Sequence, residues 1–318
     1  MIDPAAVNDS ETRPIQPRRR SLLRDAGLAA VGAAAVGGMT AAGLGTASAG
    51  ATTSSIPMND VSQLVFVLIL KYVTANYYLL AATGQSLGPD DTSGNFSFYT
   101  NTVGNFPGKT VIGGAAVPFK TAIFQQYADN IAADELTHLR YLRAVIAPTN
   151  NLYPMPVIDM AAVWTTIAVQ AQLIVPGQTF NPFADEISFL LGAYFLEDLS
   201  VSYICGAVPT LSDASLSEYF GALSGADAYH AGTIRTLLAR IGGGGPVAKL
   251  SALRQSLSGV VDTGILTPAG TVNIGPFGPQ ALMLTRTPVE AYNILYLTPG
   301  SSFPAGQTGG FFPAGIYS

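Results

Sequence analysis

Two short motifs pair the only histidines of this 318-residue chain with a carboxylate three residues earlier: Glu135-x-x-His138 and Asp227-x-x-His230. Positions i and i+3 share one face of an α-helix, so each motif can direct an oxygen and an imidazole at the same point. Carboxylate and imidazole groups are ligands of iron, manganese and zinc. Two such helices packed side by side would bring the imidazoles within about 10 Å of each other and form part of a metal site.

Both motifs lie in the middle of an apolar stripe with helical spacing. The first stripe contains Phe124, Ala128, Ile131, Leu142 and Val145, and the second contains Leu216, Phe220, Leu223, Ile234, Leu237 and Ile241. The acids and histidines therefore fall on the buried faces of their helices, which argues against simple surface ion pairs. A buried carboxylate needs a partner because its desolvation is costly. That partner is either a metal ion or a histidinium–carboxylate network.

Four long segments have the apolar spacing and the terminal signals of helices. They run from about Asp60 to Thr83, from about Pro118 to Ile146, from Asn181 to just before Pro209, and from Ser212 to Ile241. Asp60 and Gln63 resemble a capping box, and Asn181 followed by Pro182 is a typical helix start. The second and third segments are joined by a long connection with an apolar stretch, and the third and fourth by a short turn. This pattern predicts an all-α fold, a four-helix bundle with one long crossover.

The chain after the fourth helix is rich in glycine and proline. We interpret the glycine run 242–245 as a helix terminator and hinge, because no phosphate-binding GK[ST] sequence follows it. One short helix is predicted where Thr287-Pro288-x-Glu290 forms a capping box. We expect residues 50–245 to form the bundle and residues 246–318 to form an extension packed on it. The alternative is that the tail from Phe303 to Tyr317 docks on another molecule.

Residues 1–49 have the features of a twin-arginine export signal. Arg18-Arg19-Arg20 precedes Ser21-Leu22-Leu23-Arg24, an Ala/Gly-rich stretch follows, and Ala47-Ser48-Ala49 offers a small-residue cleavage site. The alternative is a membrane anchor, but the stretch has few strongly apolar residues. We therefore expect a periplasmic or extracellular protein with no stable membrane span after the signal is removed.

The composition narrows the function classes. The net charge is −5, and loss of residues 1–49 leaves 10 basic and 16 acidic residues, a net charge of −6. So sparse and acidic a charge pattern argues against nucleic-acid binding. The single cysteine, Cys205, has no partner for an internal disulfide, so stability must come from the core. The sequence leaves the oligomeric state open, a homo-oligomer included.

A weak internal repeat relates the first helix to the third and the second to the fourth. The histidines of the second and fourth helices are each followed five residues later by an arginine. The aligned pairs on the other two helices are Lys71 with Glu197, Thr74 with Ser200 and Tyr77 with Tyr203. Glu197 therefore lies on the buried stripe of the third helix. Lys71 takes the matching place on the first, where a full metal site would need a carboxylate.

Longer motifs surround these residues. They are Asp134-Glu135-x-x-His138-x-Arg140 in the second helix, Gly192-Ala193-Tyr194-x-x-Glu197-Asp198 in the third, Ala228-Tyr229-His230-Ala231-Gly232 in the fourth, and Gly309-Gly310-Phe311-Phe312-Pro313 in the tail. Together they resemble the ferritin-like family that includes plant desiccation-related proteins. The resemblance implies a ferritin-like bundle and a two-iron site on Glu135, His138, Glu197, Asp227 and His230. The first helix departs from the family: the usual LEYLEAxFY is replaced by LKYVTANYY over residues 70–78, which contains no glutamate.

The charge of the site limits what it can hold. Three carboxylates and one ammonium balance a single divalent ion, whereas two ions would leave excess positive charge in a medium of low dielectric. Lys71 either pairs with Glu135 or Glu197 or extends out of the end of the bundle. We expect no bound metal or a single iron or manganese ion, with the metal-free state favoured.

These arguments predict an exported ferritin-like protein of the desiccation-related type with a degenerate di-iron site and a structural or stress-protective role. The alternative is a redox or oxygen-handling metalloprotein that binds one iron or manganese ion at the five retained ligands. The sequence leaves open whether the chain is an enzyme, and the missing carboxylate favours a non-catalytic role. Of the remaining acids, we expect Asp134, Asp185, Glu186 and Asp198 to be solvated or helix-capping. Trp164 should anchor the crossover.

Overall fold

The computed structural model of the chain describes residues 56–97, 100–300 and 306–316, so the export signal expected in residues 1–49 lies outside the described residues. The helices are α1 (Met58–Thr83), α2 (Pro89–Thr92), α3 (Ala122–Ile146), α4 (Ala162–Gln170), α5 (Glu186–Ala207), α6 (Ala214–Arg240), α7 (Gly244–Ser258) and α8 (Pro288–Tyr296). Single 3-10 turns follow α3 at Ala147–Thr149 and α5 at Val208–Thr210. The strands are β1 (Gly94–Ser97), β2 (Thr102–Phe106), β3 (Val111–Ile112) and β4 (Ile158–Asp159).

The long helices α1, α3, α5 and α6 form a four-helix bundle. α1 packs along α3, α5 packs along α6, and α1 also contacts α5. The strands lie in the long connections: β1 and β2 form an antiparallel pair, and β3 pairs in parallel with β4 of the α3–α5 crossover. The prediction of an all-α bundle with a long crossover is confirmed.

The helices α1 and α5 form the centre of the core. By length and composition, α1 and the segment Glu186–Thr210 could each cross a membrane, but 89% and 83% of their most apolar stretches are buried inside the protein. A helix that is apolar on all faces is expected in a core of this kind. The polar residues that these two helices carry at mid-length, including Lys71 and Glu197, are therefore buried with them.

The predicted start of α1 is wrong. The helix begins at Met58, directly after Pro57, and Asp60 does not cap it. Instead the buried Asp60 carboxylate accepts hydrogen bonds from the backbone N–H groups of Ser212 and Asp213, at 2.8 to 3.0 Å. Asp60 therefore joins the first turn of α1 to the loop that leads into α6.

The predicted start of α5 at Asn181 is also wrong. The cap is Asp185, whose side chain accepts the backbone N–H groups of Ile187 and Ser188, so the helix begins at Glu186. Asn181 instead closes a local turn. The Glu186 carboxylate accepts the backbone N–H groups of residues 120 and 121, and α3 starts at Ala122 rather than near Pro118. The expectation that Asp185 is solvated or helix-capping is confirmed, whereas Glu186 caps no helix and instead binds the segment that leads into α3.

Three helices were not predicted: the single-turn α2 and the longer α4 and α7. α4 lies within the crossover and carries the buried Trp164, which anchors this connection as expected. α7 begins inside the glycine run, which was interpreted only as a terminator and hinge. Gly242 does adopt a left-handed conformation with φ of 77°, but α7 starts at Gly244, because Val247, Leu250 and other buried residues pack one face of it against the protein. Tertiary packing here outweighs the low helix propensity of glycine.

Buried ion pairs attach the C-terminal extension to the bundle. Asp198 of α5 binds Arg235 of α6 at 2.7 Å and Arg254 of α7 at 2.9 Å. Asp262 binds Arg254 and Arg286, both at 2.7 Å. The expectation that Asp198 is solvated or capping is wrong, because its carboxylate is needed to compensate buried guanidinium groups.

The described part of the tail packs on its own chain. Phe311 and Phe312 are fully buried, and the Phe311 ring lies 5.2 Å from that of Trp164. The backbone of Phe311 donates a hydrogen bond to Leu295 and accepts one from Asp159. The alternative that this segment, residues 306–316, docks on another molecule is therefore not supported.

Candidate metal centre

The four bundle helices bring all six residues singled out in the sequence to one place. The contributors are Lys71 from α1, Glu135 and His138 from α3, Glu197 from α5, and Asp227 and His230 from α6. The two imidazole ring centres are 6.2 Å apart, closer than the expected limit. The lysine and the three carboxylates are completely buried. The helical spacing of the motifs therefore predicted correctly that these side chains lie close together.

Lys71 lies between two of the three carboxylates. Its Nζ is 2.6 Å from Oε1 of Glu135 and 2.9 and 2.7 Å from Oδ1 and Oδ2 of Asp227. The pairing with Glu135 was one of the predicted outcomes, whereas no hydrogen bond to Glu197 is formed among the described contacts. The alternative in which Lys71 extends to solvent is wrong, since its side chain is 0% exposed.

Two hydroxyl groups donate further hydrogen bonds to these carboxylates. Thr74 donates to Oε2 of Glu135, and Ser200 donates to Oδ2 of Asp227 at 2.6 Å. Each hydroxyl lies one helical turn after the position of Lys71 or Glu197. The internal repeat had aligned Thr74 with Ser200, but their role as donors was not deduced. The two hydrogen bonds are equivalent in the internal repeat, so the repeat includes the hydroxyl donors of the centre.

The ion pairs determine the charge states of Lys71 and Glu135. Burial disfavours the ammonium form of Lys71, but the Asp227 and Glu135 carboxylates outweigh this and raise its pKa above the ordinary value. Burial likewise disfavours ionised Glu135, but the Lys71 ammonium and His138 lower its pKa well below the usual range. Both groups are therefore charged at neutral pH, and Lys71 acts as a fixed cation.

Glu197 has a different environment. It is fully buried, and neither of its carboxylate oxygens accepts a hydrogen bond of ordinary geometry from the described residues, although the buried Tyr78 hydroxyl lies close enough for Glu197 to raise the pKa of that phenol. Burial, together with Glu135 and Asp227, raises the pKa of Glu197 to about 8, against the opposing effect of His230 and Lys71. Buried polar atoms without a partner are rare in folded proteins and call for an explanation. A bound ion or water molecule would supply the missing contact.

His230 is held by a second carboxylate. Its Nε2 lies 3.2 Å from Oδ2 of Asp134 on the neighbouring helix, and its Nδ1 has no hydrogen-bond partner in the described ranges. Burial disfavours protonation, but the Asp134 contact and Glu197 raise the pKa of His230 to about 9. Asp134 was expected to be merely solvated or capping, and this contact was missed. At the matching position before Asp227, the chain has Ala226, which offers His138 no carboxylate.

The ligand atoms form two overlapping groups. One contains Glu135, His138 and Asp227, and the other contains Glu135, Glu197 and His230; within each group the ligand atoms lie within 4.8 Å of one another. Glu135 belongs to both, as a bridging ligand would. We refer to them as the aspartate half and the glutamate half of the centre.

The two halves differ in whether a metal ion fits. In the aspartate half, the Lys71 ammonium already binds Glu135 and both oxygens of Asp227, so a divalent ion there would meet a positive charge at close range. In the glutamate half, both oxygens of Glu197 and Nδ1 of His230 are free of hydrogen bonds of ordinary geometry to described residues. A two-metal centre therefore does not fit these residues, whereas a single ion does.

The histidine side of the centre is its most accessible side. The side chains of His138, His230 and Asp134 are 18%, 9% and 45% exposed, whereas the lysine and the other carboxylates are at most 1% exposed. An ion or small molecule would therefore reach the carboxylates past the two imidazoles.

Comparison with known proteins agrees with this architecture. A family model described as a ferritin-like domain matches residues 59–240, which cover the four bundle helices, and the chain belongs to this family. The ferritin-like catalase Nec2 of Nesocodon mauritianus is 24% identical over 288 residues, 83% of this chain and 85% of that protein. The desiccation-related protein PCC13-62 of Craterostigma plantagineum is 27% identical over 187 residues, 58% of this chain and 54% of that protein. No solved structure matches significantly.

Proposed function

We propose that this chain is an exported ferritin-like protein of the desiccation-related type, with a degenerate two-metal centre and a structural or stress-protective role. The observation that carries the proposal is the position of Lys71, whose ammonium binds Glu135 and Asp227 at 2.6 to 2.9 Å. A protein-borne cation at this place holds α1, α3 and α6 together without a metal ion. Similarity to the desiccation-related protein of Craterostigma plantagineum supports the assignment to this type.

The test is metal dependence of the fold. The purified protein should still fold and unfold cooperatively in urea after exhaustive treatment with a chelator, and its midpoint should fall by no more than the loss of one bound ion explains, because Lys71 cannot be removed as a metal can. A fold that requires two bound metal ions would instead lose most of its stability on chelation. Metal analysis of protein from cells grown in iron- and manganese-rich medium should give at most one equivalent. Two equivalents would contradict the degenerate centre.

A second candidate function is that of a redox or oxygen-handling metalloprotein with one iron or manganese ion. The unpartnered oxygens of Glu197 and Nδ1 of His230 favour it, as does similarity to a protein named as a ferritin-like catalase. A bound ion of either element would supply one-electron redox chemistry. In this protein, Lys71 would keep neighbouring negative charge balanced, and the histidine side would admit small oxidants. Consumption of hydrogen peroxide by metal-loaded protein, lost in Glu197→Gln, would establish this function.

Export is a part of the proposal that the sequence of residues 18–24 supports. Replacement of Arg19 and Arg20 by lysine should retain the chain in the cytoplasm of a bacterium that has twin-arginine export. Unchanged export of this variant would contradict the assigned route.

A further inference from the structure

We propose that the glutamate half of the centre, formed by Glu135, Glu197 and His230, binds one divalent ion of the manganese(II) or iron(II) class, and that Lys71 permanently takes the place of a second ion. This inference rests on the degenerate centre proposed above and locates the single ion that it can accept. It makes His230, and not His138, the histidine ligand.

The first argument is the spacing of unused ligand atoms. Nδ1 of His230 lies 3.9 Å from Oε2 of Glu197 and 4.0 Å from Oε1 of Glu135. These separations are too long for hydrogen bonds. Neighbouring ligands that each lie about 2.1 Å from an octahedral ion are about 3.0 Å apart, so these atoms lie about 1 Å too far from one another for direct coordination. A small inward movement would bring all three atoms into coordination.

The second argument is the orientation of His230. Metal-binding histidines almost always donate their other ring N–H to a carboxylate, a carbonyl or water. Here Asp134 accepts from Nε2, so Nδ1 is the ring nitrogen that lies toward the glutamate half, where a bound ion would displace its proton. The matching residue on α6 is Ala226, so His138 has no such partner at this position. The carboxylate that would prepare a histidine for metal binding is therefore present in one half only.

The third argument is charge. Once the ion has displaced the protons of Glu197 and His230, the Lys71 ammonium cancels one of the three carboxylate charges and the divalent ion cancels the other two. Each oxygen of an ionised carboxylate offers two acceptor sites, so Oε1 of Glu135 can serve both Lys71 and an ion that replaces its long contact with Nδ1 of His138, at 3.4 Å. A second divalent ion would have to displace Lys71 from Asp227, at a large cost in a buried site. The centre therefore accepts one ion and excludes a second.

The test is a titration of the chelator-treated full chain with Mn²⁺, with bound Mn²⁺ followed by the loss of the free-ion electron paramagnetic resonance signal. The unmodified protein should bind one equivalent. His230→Ala should abolish this binding and His138→Ala should weaken it less, whereas Glu218→Gln, at an exposed acid of α6 outside the centre, is the matched control and should leave it unchanged. Asp134→Asn should weaken binding by about 10- to 100-fold, since it removes only the group that orients His230.

The outcomes separate this inference from the proposed function. No bound Mn²⁺, or equal losses in His138→Ala and His230→Ala, would overturn the inference and leave the degenerate centre standing. Two equivalents in the unmodified protein would overturn both. Circular dichroism of each variant establishes that it is folded. Glu197→Gln, which keeps the shape of the side chain, provides a second variant that should lose binding if His230→Ala fails to fold.

Discussion

Lys71 shows how a single residue can convert a metal site into an ion-pair site. Its ammonium supplies one positive charge and up to three hydrogen-bond donors, and its contacts go to Oε1 of Glu135 and both oxygens of Asp227. A divalent ion would supply twice the charge and would also demand nitrogen or oxygen ligands in fixed directions. The lysine relaxes that demand, because an ammonium group can donate its hydrogen bonds over a range of directions.

The first prediction concerns the loss of this cation. Lys71→Met should destabilise the chelator-treated protein by about 3–5 kcal/mol, because Glu135 and Asp227 would remain buried without a partner. Urea unfolding followed by the fluorescence of Trp164, the only tryptophan, measures the change. Lys109→Met, at an exposed position, is the control and should change stability by less than about 0.5 kcal/mol. Equal stability of the two variants would show that Lys71 does not stabilise the centre.

At this scale the sequence predicted the residues of the centre better than their contacts. The i, i+3 spacing and the apolar stripes were enough to bring Glu135, His138, Asp227 and His230 together. The contact of Asp134 with His230 was missed because it joins two helices, and its geometry depends on how they pack. The sequence narrowed the partners of Lys71 to Glu135 and Glu197 and did not predict the contact with Asp227. A flexible four-carbon side chain can reach several carboxylates within one layer of the bundle.

At the scale of elements, the internal repeat explains two arginines outside the centre. Arg143 of α3 donates to the Tyr72 hydroxyl at 2.6 Å and to the backbone of Asp90 at 3.1 Å. Arg235 of α6 binds Asp198 and the backbone oxygen of Gly264, at 2.7 and 2.6 Å. Both residues follow a histidine of the centre by five positions, and both hold a segment outside the bundle against it. The internal repeat therefore includes residues that attach loops to the bundle as well as the candidate ligands.

The second prediction concerns the ion-pair network of the extension. Asp262→Asn should destabilise the protein by about 3–5 kcal/mol at pH 7, since Arg254 and Arg286 would lose their shared carboxylate. Glu218→Gln, at an exposed acid on α6, is the matched control and should have little effect. Thermal or urea unfolding of both variants measures the difference. A loss as small as that of the control would mean that the network does not fasten the extension.

The third prediction is the pH dependence of that difference. Burial disfavours the ionised form of Asp262, but Arg254 and Arg286 outweigh it and lower its pKa. Because the folded-state pKa lies below the unfolded value of about 3.9, the stabilisation is fully present above about pH 4. It disappears as the pH falls through the folded-state value. The gap between the unmodified protein and Asp262→Asn should therefore be constant from pH 5 to 7 and should narrow below pH 4. A gap that widens in acid would contradict this assignment.

The sequence predicted the helices that have a long apolar periodicity, and it missed helices that form only because one face packs against the protein. The four bundle helices follow from their apolar spacing. α7 was missed because its first residues are glycines, whose low propensity is overcome only by burial of one helix face. The start of α5 was misplaced because two capping signals, at Asn181 and Asp185, lie four residues apart, and local sequence alone does not rank them.

At the scale of the whole molecule, the tail is an integral part of the core. The fourth prediction is that Phe311→Ala destabilises the protein by about 3–5 kcal/mol, as expected for a fully buried phenylalanine that contacts Trp164. The native fluorescence of Trp164 should change as well. Phe277→Ala, at a side chain that is 39% exposed, is the control. A tail that is cut readily by protease without loss of stability would contradict this packing.

The central claim is that the lysine occupies one metal position and leaves the other available. The most direct measurement is a crystal structure of the protein soaked in Mn²⁺, with anomalous scattering recorded at the manganese absorption edge. We predict one anomalous peak among Glu135, Glu197 and His230, with Lys71 still bound to Asp227. Two peaks, with Lys71 turned away from Asp227, would contradict the account.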